Sequence, residues 1–170
     1  MTTDSLDFAL PDSGITERLG AALAHAFCAR STGAVVYLRG ELGSGKTTCA
    51  RSLLHALGVT ATVRSPTYTL VDTYSTHELS LVHVDLYRLR SSAEVEELGL
   101  RDLTGPNSLM LIEWPEQGGA AVPPADVDLQ LRYAGESRAA SLRAGSEVGV
   151  RWLAKLGLDT SLVPYVSNLT

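Results

Sequence analysis

The sequence AVVYLRGELGSGKTT, at residues 34–48, contains the pattern that decides the fold. Its first five residues form a continuous, partly β-branched apolar run, which is typical of a central parallel strand covered on both faces. Gly40 and the GSGKT at 43–47 then complete the phosphate-loop (P-loop) pattern G-x-x-x-x-G-K-[ST]. In such a loop the glycines allow backbone N–H groups to wrap phosphates, while Lys46 reaches the β- and γ-phosphates and the Thr47 hydroxyl ligates Mg²⁺.

A helix is predicted directly after the loop. Apolar residues recur at helical spacing from Lys46 to Leu57, and Gly58 supplies a C-terminal stop. The positive end of this helix points at a bound anion. Because a chance match to the loop pattern arises in under ~1% of chains of this length, a nucleotide-binding loop is a better interpretation than an ordinary glycine-rich turn.

Two further apolar segments end on a carboxylate, namely LSLVHVD at 79–85 and LMLIE at 109–113. In a parallel sheet, the C-terminal ends of the strands converge on the crevice that contains the phosphate loop. Asp85 and Glu113 are therefore predicted to lie near Thr47 and a bound metal ion. The alternative for each is a strand-end carboxylate that faces solvent or caps a turn.

The neighbours of these carboxylates allow more than one interpretation. His83 shares a strand face with Asp85, and a core or hydrogen-bonded histidine is favoured over a metal ligand. Trp114 either packs on the nucleotide or fills the core. The segment RSPTYTL, at 64–70, lies where nucleoside triphosphatases often carry a loop that senses the γ-phosphate. From its residues alone, an extended edge segment with a proline turn is the first interpretation.

The rest of the chain completes one α/β domain. The predicted elements are a helix over 12–29 capped by Asp12 or Ser13, an extended region over 67–74, a helix over 92–98 with a capping box, a hairpin of 127–133 and 139–144, and a helix over 148–156. They predict a three-layer phosphate-loop NTPase with a mostly parallel central sheet plus a C-terminal antiparallel hairpin. We assign residues 1–157 to this ATPase domain and residues 158–170 to a loosely attached tail of unknown role.

Composition narrows the class of protein. A chain of 170 residues fits one domain, and the net charge of −5 argues against a broad basic face that grips nucleic acid. No apolar run approaches the roughly 18 residues of a membrane span, and Asp4, Asp7 and Asp12 stand where a signal peptide would be basic. We therefore expect a cytoplasmic protein with no membrane partner. Cys28 and Cys49 are too few for a disulfide framework and are interpreted as small buried apolar residues.

ATP is favoured over GTP as the nucleotide. Guanine specificity in G-proteins usually requires an N-K-x-D motif after the phosphate loop, but Lys155 is the only later lysine and follows Ala154. The segment DLTG, at 102–105, matches the short D-x-x-G pattern of that class. Since no apolar strand leads into it, we interpret it as a turn.

Together, GELGSGKTT, SPTYTL, HVDLYRL and LIEWPEQG resemble the motifs of the TsaE family, in that family's order and spacing. The family comprises bacterial ATPases needed for the threonylcarbamoyl modification of adenosine 37 in tRNAs that read ANN codons. The resemblance runs from about Leu10 to about residue 156. It implies a Mg²⁺-dependent ATP hydrolase that is slow alone, is stimulated by partners, acts on the TsaB–TsaD complex, and meets tRNA only indirectly through that complex.

The resemblance also implies roles for individual residues. The expected phosphate-binding residues are Gly43, Ser44, Gly45, Lys46, Thr47 and Thr48. Thr47 and Glu113 would ligate Mg²⁺, and Asp85 would be the essential second carboxylate that orients or activates water. Lys46, Asp85 and Glu113 are thus the expected catalytic residues.

Four more residues receive roles from the resemblance, of which that of Ser13 is the weaker transfer. Ser13 matches a segment that borders the adenine, and Trp114 would lie beside the site. Ser65 and Thr67 would belong to a mobile loop near the γ-phosphate. The tail after Leu156 matches nothing in the family pattern.

Two other functions stay open from the sequence. A small-molecule kinase shares this size and loop, but it needs a lid with clustered arginines. The arginines after position 130 are instead scattered over a predicted hairpin and helix: Arg132, Arg138, Arg143 and Arg151. A nucleotide-gated binding module with negligible turnover would keep the same loop, and hydrolysis measured with and without TsaB and TsaD would distinguish it.

Overall fold

The computed structural model describes residues 3–27 and 33–167, which surround a seven-stranded sheet. The strands are β1 (Ser5–Leu10), β2 (Ala34–Arg39), β3 (Val71–Ser75), β4 (Ser80–Asp85), β5 (Ser108–Glu113), β6 (Val127–Ala134) and β7 (Ser137–Ala144). They lie side by side in the order β1-β7-β6-β2-β5-β4-β3. The four central strands, β6, β2, β5 and β4, are parallel, while β3, β7 and β1 pair antiparallel at the two margins.

Helices cover both faces of this sheet. They are α1 (Ser13–Ala26), α2 (Lys46–Ala56), α3 (Ser92–Glu96) and α4 (Glu147–Leu156). Helices α1, α2 and α4 share one apolar core with sheet residues such as Val36 and Leu111. On the opposite face, Val95 of α3 joins a second core with Val84 and Ile112. The predicted three-layer α/β fold, with a parallel centre and a C-terminal hairpin, is confirmed.

The parallel pairing brings the C-terminal ends of three strands, β2, β5 and β4, to one edge of the sheet. All six residues of β5 and five of the six in β4 are buried, as expected for strands covered on both faces. Their register places Asp85 beside Glu113, and Leu38 of β2 lies on the other side of Glu113. The two carboxylates therefore lie at the edge of the sheet from which the glycine-rich loop leaves β2.

Helix starts follow the signals in the sequence. Asp12, rather than Ser13, caps α1 and accepts a hydrogen bond from the Ile15 N–H at 3.0 Å. Ser91 and Glu94 form the predicted capping box at the start of α3. Hydrogen bonds from the backbone N–H groups of Arg90 and Ser91 hold the pKa of the Glu94 carboxyl below its usual value.

Three predictions about secondary structure are corrected. No strand is predicted before the first helix, yet β1 pairs with β7 along its length; the Asp7–Ser141 contact between them joins residues 134 apart in sequence. The expected extended region over 67–74 begins only at Val71, because Leu70 has a φ of 65° and donates to the Pro66 carbonyl at 2.7 Å. The helix predicted over 12–29 ends at Ala26, and residues 28–29 lie outside the described residues.

The expectation of a loosely attached tail is wrong for residues 158–167. Leu162 is 1% exposed and belongs to the core under α1 and α4. Val166 forms a bridge with Phe8 of β1, and the Ser167 N–H donates to the Asp7 carbonyl at 2.8 Å. The segment closes over the outer strand of the sheet, a contact that its own sequence does not signal.

Cys49 is a buried, unpaired residue of α2, as predicted. Burial in this core raises the pKa of its thiol to about 12, which leaves it protonated at neutral pH. Cys28 lies outside the described residues. Among the helices of the described ranges, none has both the length and the apolar character to cross a membrane.

The close packing of α1 on α2 gives a test of the fold. A Cβ added at Gly20 of α1 would collide with the backbone carbonyl of Cys49 in α2. Helix propensity alone favours alanine over glycine by about 1 kcal/mol, but overpacking typically costs about 1–3 kcal/mol. We therefore expect Gly20→Ala to lower the free energy of unfolding in a urea titration.

Gly105→Ala is the matched control, since nothing lies within 4 Å of a Cβ added there. Its effect should stay within about 0.5 kcal/mol. A Gly20→Ala variant as stable as the parent chain would contradict the close approach of the two helices.

Candidate functional site

The glycine-rich loop joins the end of β2 to the start of α2, as the sequence predicts. Gly45 is the N-cap of α2 with a φ of 107°, and Gly40 and Gly43 have φ values of 140° and 76°. Residues with a side chain rarely adopt these angles. The first turn of α2 itself carries no acidic residue that would compete with a bound anion for its N-terminal N–H groups.

The Lys46 side chain folds back across the loop. Its ammonium group donates to the carbonyls of Gly40 at 2.7 Å and Glu41 at 2.9 Å, and it lies 4.2 Å from the centre of the Trp114 ring. Both acceptors are neutral. A phosphate in the loop would offer the same ammonium group a stronger, charge-assisted hydrogen bond.

The charge of Lys46 sits in a buried and acidic setting. The residue is 4% exposed, and burial lowers its pKa below the ordinary lysine value. The carboxylates of Glu113, Asp85 and Glu116 act in the opposite direction and favour the charged ammonium. The loop thus holds a desolvated cation, whose interaction with an anion is stronger than that of a lysine in water.

Glu113 contacts the first turn of α2. The Thr47 hydroxyl donates to the carboxylate, 3.0 Å from Oε1 and 3.1 Å from Oε2. Glu113 is 2% exposed, although carboxylates are rarely buried without partners. The structure therefore brings the two predicted metal ligands together.

Asp85 lies on the neighbouring strand and binds the segment at 65–67. Its Oδ2 accepts a hydrogen bond from the Ser65 hydroxyl, and its Oδ1 accepts from the Tyr87 N–H at 2.9 Å. The Thr67 hydroxyl donates to Ser65 Oγ at 3.2 Å. Asp85 therefore both caps the turn after β4 and fastens the Ser-Pro-Thr segment beside the loop.

These donors fit a particular type of metal ion. A hydroxyl and a carboxylate are hard oxygen ligands, which Mg²⁺ prefers. Among the described residues, no group of three or more His, Cys, Asp or Glu side chains is arranged to hold a metal. Mg²⁺ is typically held by one or two side chains together with substrate phosphates and water, so Thr47 and Glu113 suit it.

Two other predicted residues line a small pocket beside the loop. Ser13, at the start of α1, and Thr48 of α2 border a cavity of about 110 Å³. Gly43, Gly45 and Arg138 complete much of its lining. The structure thus places Ser13 against the loop, far in sequence from the residues it accompanies.

Trp114 and Ser44 have unusual local settings. Trp114 is half-buried with a φ of 58°, and its ring lies 5.0 Å from that of Tyr87. It therefore lies beside Lys46 of the loop and also packs against the second core. Ser44 is fully buried, and its hydroxyl has no hydrogen-bond partner within the described ranges.

Comparisons with known proteins agree with this geometry. A sequence model described as "Threonylcarbamoyl adenosine biosynthesis protein TsaE" matches residues 10–141. The chain belongs to the TsaE family.

Relatives and a solved structure support this membership. The chain is 42% identical over 115 residues to a "tRNA threonylcarbamoyladenosine biosynthesis protein TsaE" from Haemophilus influenzae, which covers 68% of this chain and 73% of the relative. It is 35% identical over 104 residues to the Bacillus subtilis protein of the same name, covering 61% and 65%. The crystal structure of Bacillus YdiB superposes with a TM-score of 0.75 at 25% identity, over 92% of this chain and 96% of the other.

Two residues that contact the phosphate loop of this TsaE-family chain were not predicted as site residues from the sequence. The Tyr133 hydroxyl of β6 donates to the Leu42 carbonyl at 2.9 Å, and the Arg138 guanidinium of β7 donates to the Gly43 carbonyl at 3.0 Å. The hairpin therefore clamps two successive carbonyls of the loop. No local pattern could reveal this, because the partners lie 91 and 95 residues apart.

Two other arginines after position 130, Arg132 and Arg151, have their described contacts away from the loop. Arg132 donates to the Ser141 hydroxyl at 2.7 Å, within the hairpin itself. Arg151 pairs with Glu147 on the exposed face of α4, at 3.8 Å. Neither contact forms the arginine lid that a small-molecule kinase would need.

The hairpin clamp gives a test based on Gly43. A Cβ added there would lie 2.8 Å from the Tyr133 hydroxyl oxygen, on a backbone with a positive φ. The positive φ alone costs about 1–2 kcal/mol for a residue with a side chain. We expect Gly43→Ala to lower the free energy of unfolding by more than this amount, measured by urea titration.

Gly135→Ala is its matched control, because Gly135 has a φ of 64° and open space around it. Gly135→Ala should lower the free energy of unfolding only by the cost of the positive φ. Tyr133→Phe alone deletes the hydrogen bond to the Leu42 carbonyl and so measures the cost of displacing that hydroxyl. Adding it to Gly43→Ala should therefore cost little more, and equal losses at the two glycines would refute the contact.

Proposed function

We propose that this TsaE-family chain is a Mg²⁺-dependent ATPase that serves threonylcarbamoyl modification of adenosine 37 in ANN-decoding tRNAs by acting on the TsaB–TsaD complex. The observation that carries this proposal is the pairing of Thr47 with Glu113 beside a phosphate loop crossed by Lys46. These are the groups that a nucleoside triphosphatase needs for phosphates and metal. The names of the relatives supply the pathway.

The loop binds the phosphates of ATP through its backbone. The first N–H groups of α2 follow directly on the loop, and the helix dipole adds partial positive charge at the same place. The Ser44 N–H, which donates to the Glu41 carbonyl at 3.1 Å, would exchange that partner for a phosphate oxygen. Lys46 exchanges its two carbonyl partners for phosphate oxygens. Because the ammonium group is buried, it counters the charge that develops on the γ-phosphoryl group effectively.

Thr47 and Glu113 would hold Mg²⁺ in this site. When bound, the ion neutralises charge on the β- and γ-phosphate oxygens. Glu113 supplies the negative charge that attracts the ion, and Thr47 supplies a neutral oxygen from the helix that also binds phosphate. A single pair of side chains thus couples metal binding to nucleotide binding.

Asp85 orients the attacking water and accepts its proton. It is 6% exposed and lies beside Glu113 in the sheet. Its present partner, the Ser65 hydroxyl, belongs to the segment next to the loop. Movement of that segment would free one carboxylate oxygen for water, so Ser65 and Thr67 control access to Asp85.

The nucleoside occupies the other side of the loop. Ser13 and Thr48 line the pocket there and border the adenine end of the nucleotide. Trp114 shields Lys46 on the phosphate side. ATP is preferred because the chain has no N-K-x-D motif for guanine.

The charge of the protein suits contacts with a nucleotide and with proteins. A net charge of −5 opposes direct binding of tRNA, so tRNA is met through the TsaB–TsaD complex. We place this work in the cytoplasm, where tRNA is modified. Hydrolysis is slow alone and faster with these partners.

The first test removes the phosphate and metal contacts of the loop. Lys46→Ala and Thr47→Ala should each lower ATP turnover by more than about 100-fold, because each removes charge stabilisation of the transition state. Thr47→Ser keeps the hydroxyl and should retain most activity, and Lys155→Ala controls for loss of a lysine elsewhere. Turnover near the parent value in Lys46→Ala or Thr47→Ala would sink the ATPase assignment.

The second test isolates the metal contact. Glu113→Ala should abolish the gain in ATP affinity on adding Mg²⁺, measured by calorimetry with and without the metal. Glu136→Gln, on the exposed hairpin turn, removes a similar charge away from the site and should leave that gain intact. An unchanged Mg²⁺ effect in Glu113→Ala would rule out its role as a ligand.

The third test concerns the partners. ATP turnover should rise when the TsaB–TsaD pair is added to the full chain. If ATP turnover is measurable but does not change when the pair is added, TsaB and TsaD are not the partners. If turnover stays negligible even with the pair, a nucleotide-gated binding module is favoured.

A further inference from the structure

His83 makes a contact that no role described so far uses. It lies in the middle of β4, is 0% exposed, and places its Nε2 atom 2.9 Å from Glu113 Oε1. Glu113 itself is 2% exposed. The imidazole therefore reaches, inside the core, the carboxylate that faces Thr47.

Side chains from two different elements contact the Glu113 carboxylate. Thr47 donates to it from the first turn of α2, and His83 contacts it from the neighbouring strand. Both partners share Oε1, at 3.0 Å and 2.9 Å. With one contact on each side, the carboxylate has little freedom to turn away from α2.

The hydrogen on His83 can be placed by its surroundings. A carboxylate that ligates a metal ion only accepts hydrogen bonds, so the role proposed for Glu113 assigns the hydrogen between the two side chains to Nε2 of His83. The other ring nitrogen, Nδ1, is buried and has no partner among the described residues. All the polar contact of the ring is therefore directed at Glu113.

A purely packing role does not explain the residue type. On the same sheet face, Leu81 precedes His83 on β4 and Leu111 lies beside it on β5, and both leucines belong to the apolar core. The neighbour of His83 on β3 is Asp72, whose carboxylate accepts from the Thr69 hydroxyl. A buried imidazole with an unsatisfied nitrogen costs free energy that a leucine would not. The hydrogen bond to Glu113 offsets part of this cost and is a contact that a leucine could not make.

We propose that His83 is a positioning residue that fixes the Glu113 carboxylate toward Thr47 and thereby sets the Mg²⁺ dependence of nucleotide binding. Partners behind metal ligands commonly act in this way, and their loss weakens metal affinity by about 10–100-fold. The proposal rests on the proposed function, since it assumes that Thr47 and Glu113 hold Mg²⁺.

The experiment compares three variants of the full chain. His83→Phe keeps a buried ring but removes the donor, and His83→Gln restores an N–H near the position of Nε2. Leu81→Ala damages the same sheet face without touching Glu113. For each, ATP affinity is measured across a Mg²⁺ titration and in excess chelator, and thermal unfolding is recorded.

His83→Phe should raise the Mg²⁺ concentration at half-effect by about 10-fold or more, while ATP affinity in chelator stays within about twofold of the parent. His83→Gln should recover most of the Mg²⁺ effect. Leu81→Ala should lower the midpoint of thermal unfolding yet leave the Mg²⁺ titration in place. If His83→Phe does not fold, His83→Asn is used instead, because its shorter amide cannot reach Glu113.

Two results would overturn the inference: an unchanged Mg²⁺ titration in His83→Phe, or an equal shift in Leu81→Ala. Its failure is distinguishable from failure of the proposed function. If the parent chain itself shows no Mg²⁺-dependent gain in ATP affinity, the metal site is wrong. If the parent shows that gain and His83→Phe keeps it, only the role of His83 is wrong.

Discussion

The hydrogen bonds from the Thr47 hydroxyl to both oxygens of Glu113 join the first turn of α2 to the end of β5, and the rest of the site depends on that contact. It requires three parallel strands in register, so that the loop after β2 and the ends of β4 and β5 meet at one edge. It also requires α2 to lie close against α1, which only a glycine at position 20 permits. The packing of α1 on α2 thus supports the helix that carries Thr47.

The site gathers opposite charges in a place from which water is largely excluded. Lys46, Asp85 and Glu113 are each buried, and burial and neighbouring carboxylates act on the pKa of Lys46 in opposite directions. Each group is satisfied locally: Lys46 by loop carbonyls, Asp85 by Ser65, and Glu113 by Thr47 and His83. Polar groups that are buried and already oriented interact strongly with an incoming charge without reorganisation, which suits them to phosphoryl chemistry.

Elements with strong local signals were predicted well. The strands β2, β4 and β5 lie in mostly apolar segments, α2 follows a loop pattern with few alternatives, and α3 opens with a capping box. Elements whose stability comes from distant partners were missed. The strand β1 buries only two residues inward, and Leu162 belongs to a segment without periodicity, so both depend on contacts with chain that is remote in sequence. A proline turn was predicted within 64–70, but its extension to Leu70 was missed, because a leucine with a positive φ has no sequence signature.

The sequence by itself determined the phosphate loop, the helix that follows it and the two carboxylates at strand ends, because each is encoded within a short stretch by residue type and spacing. Only the tertiary structure decided how these parts are held. Tyr133 and Arg138 reach the loop across more than 90 residues of chain, and His83 meets Glu113 across 30. Such contacts depend on strand order and on the depth at which a side chain is buried, and neither leaves a periodic trace in the residues themselves.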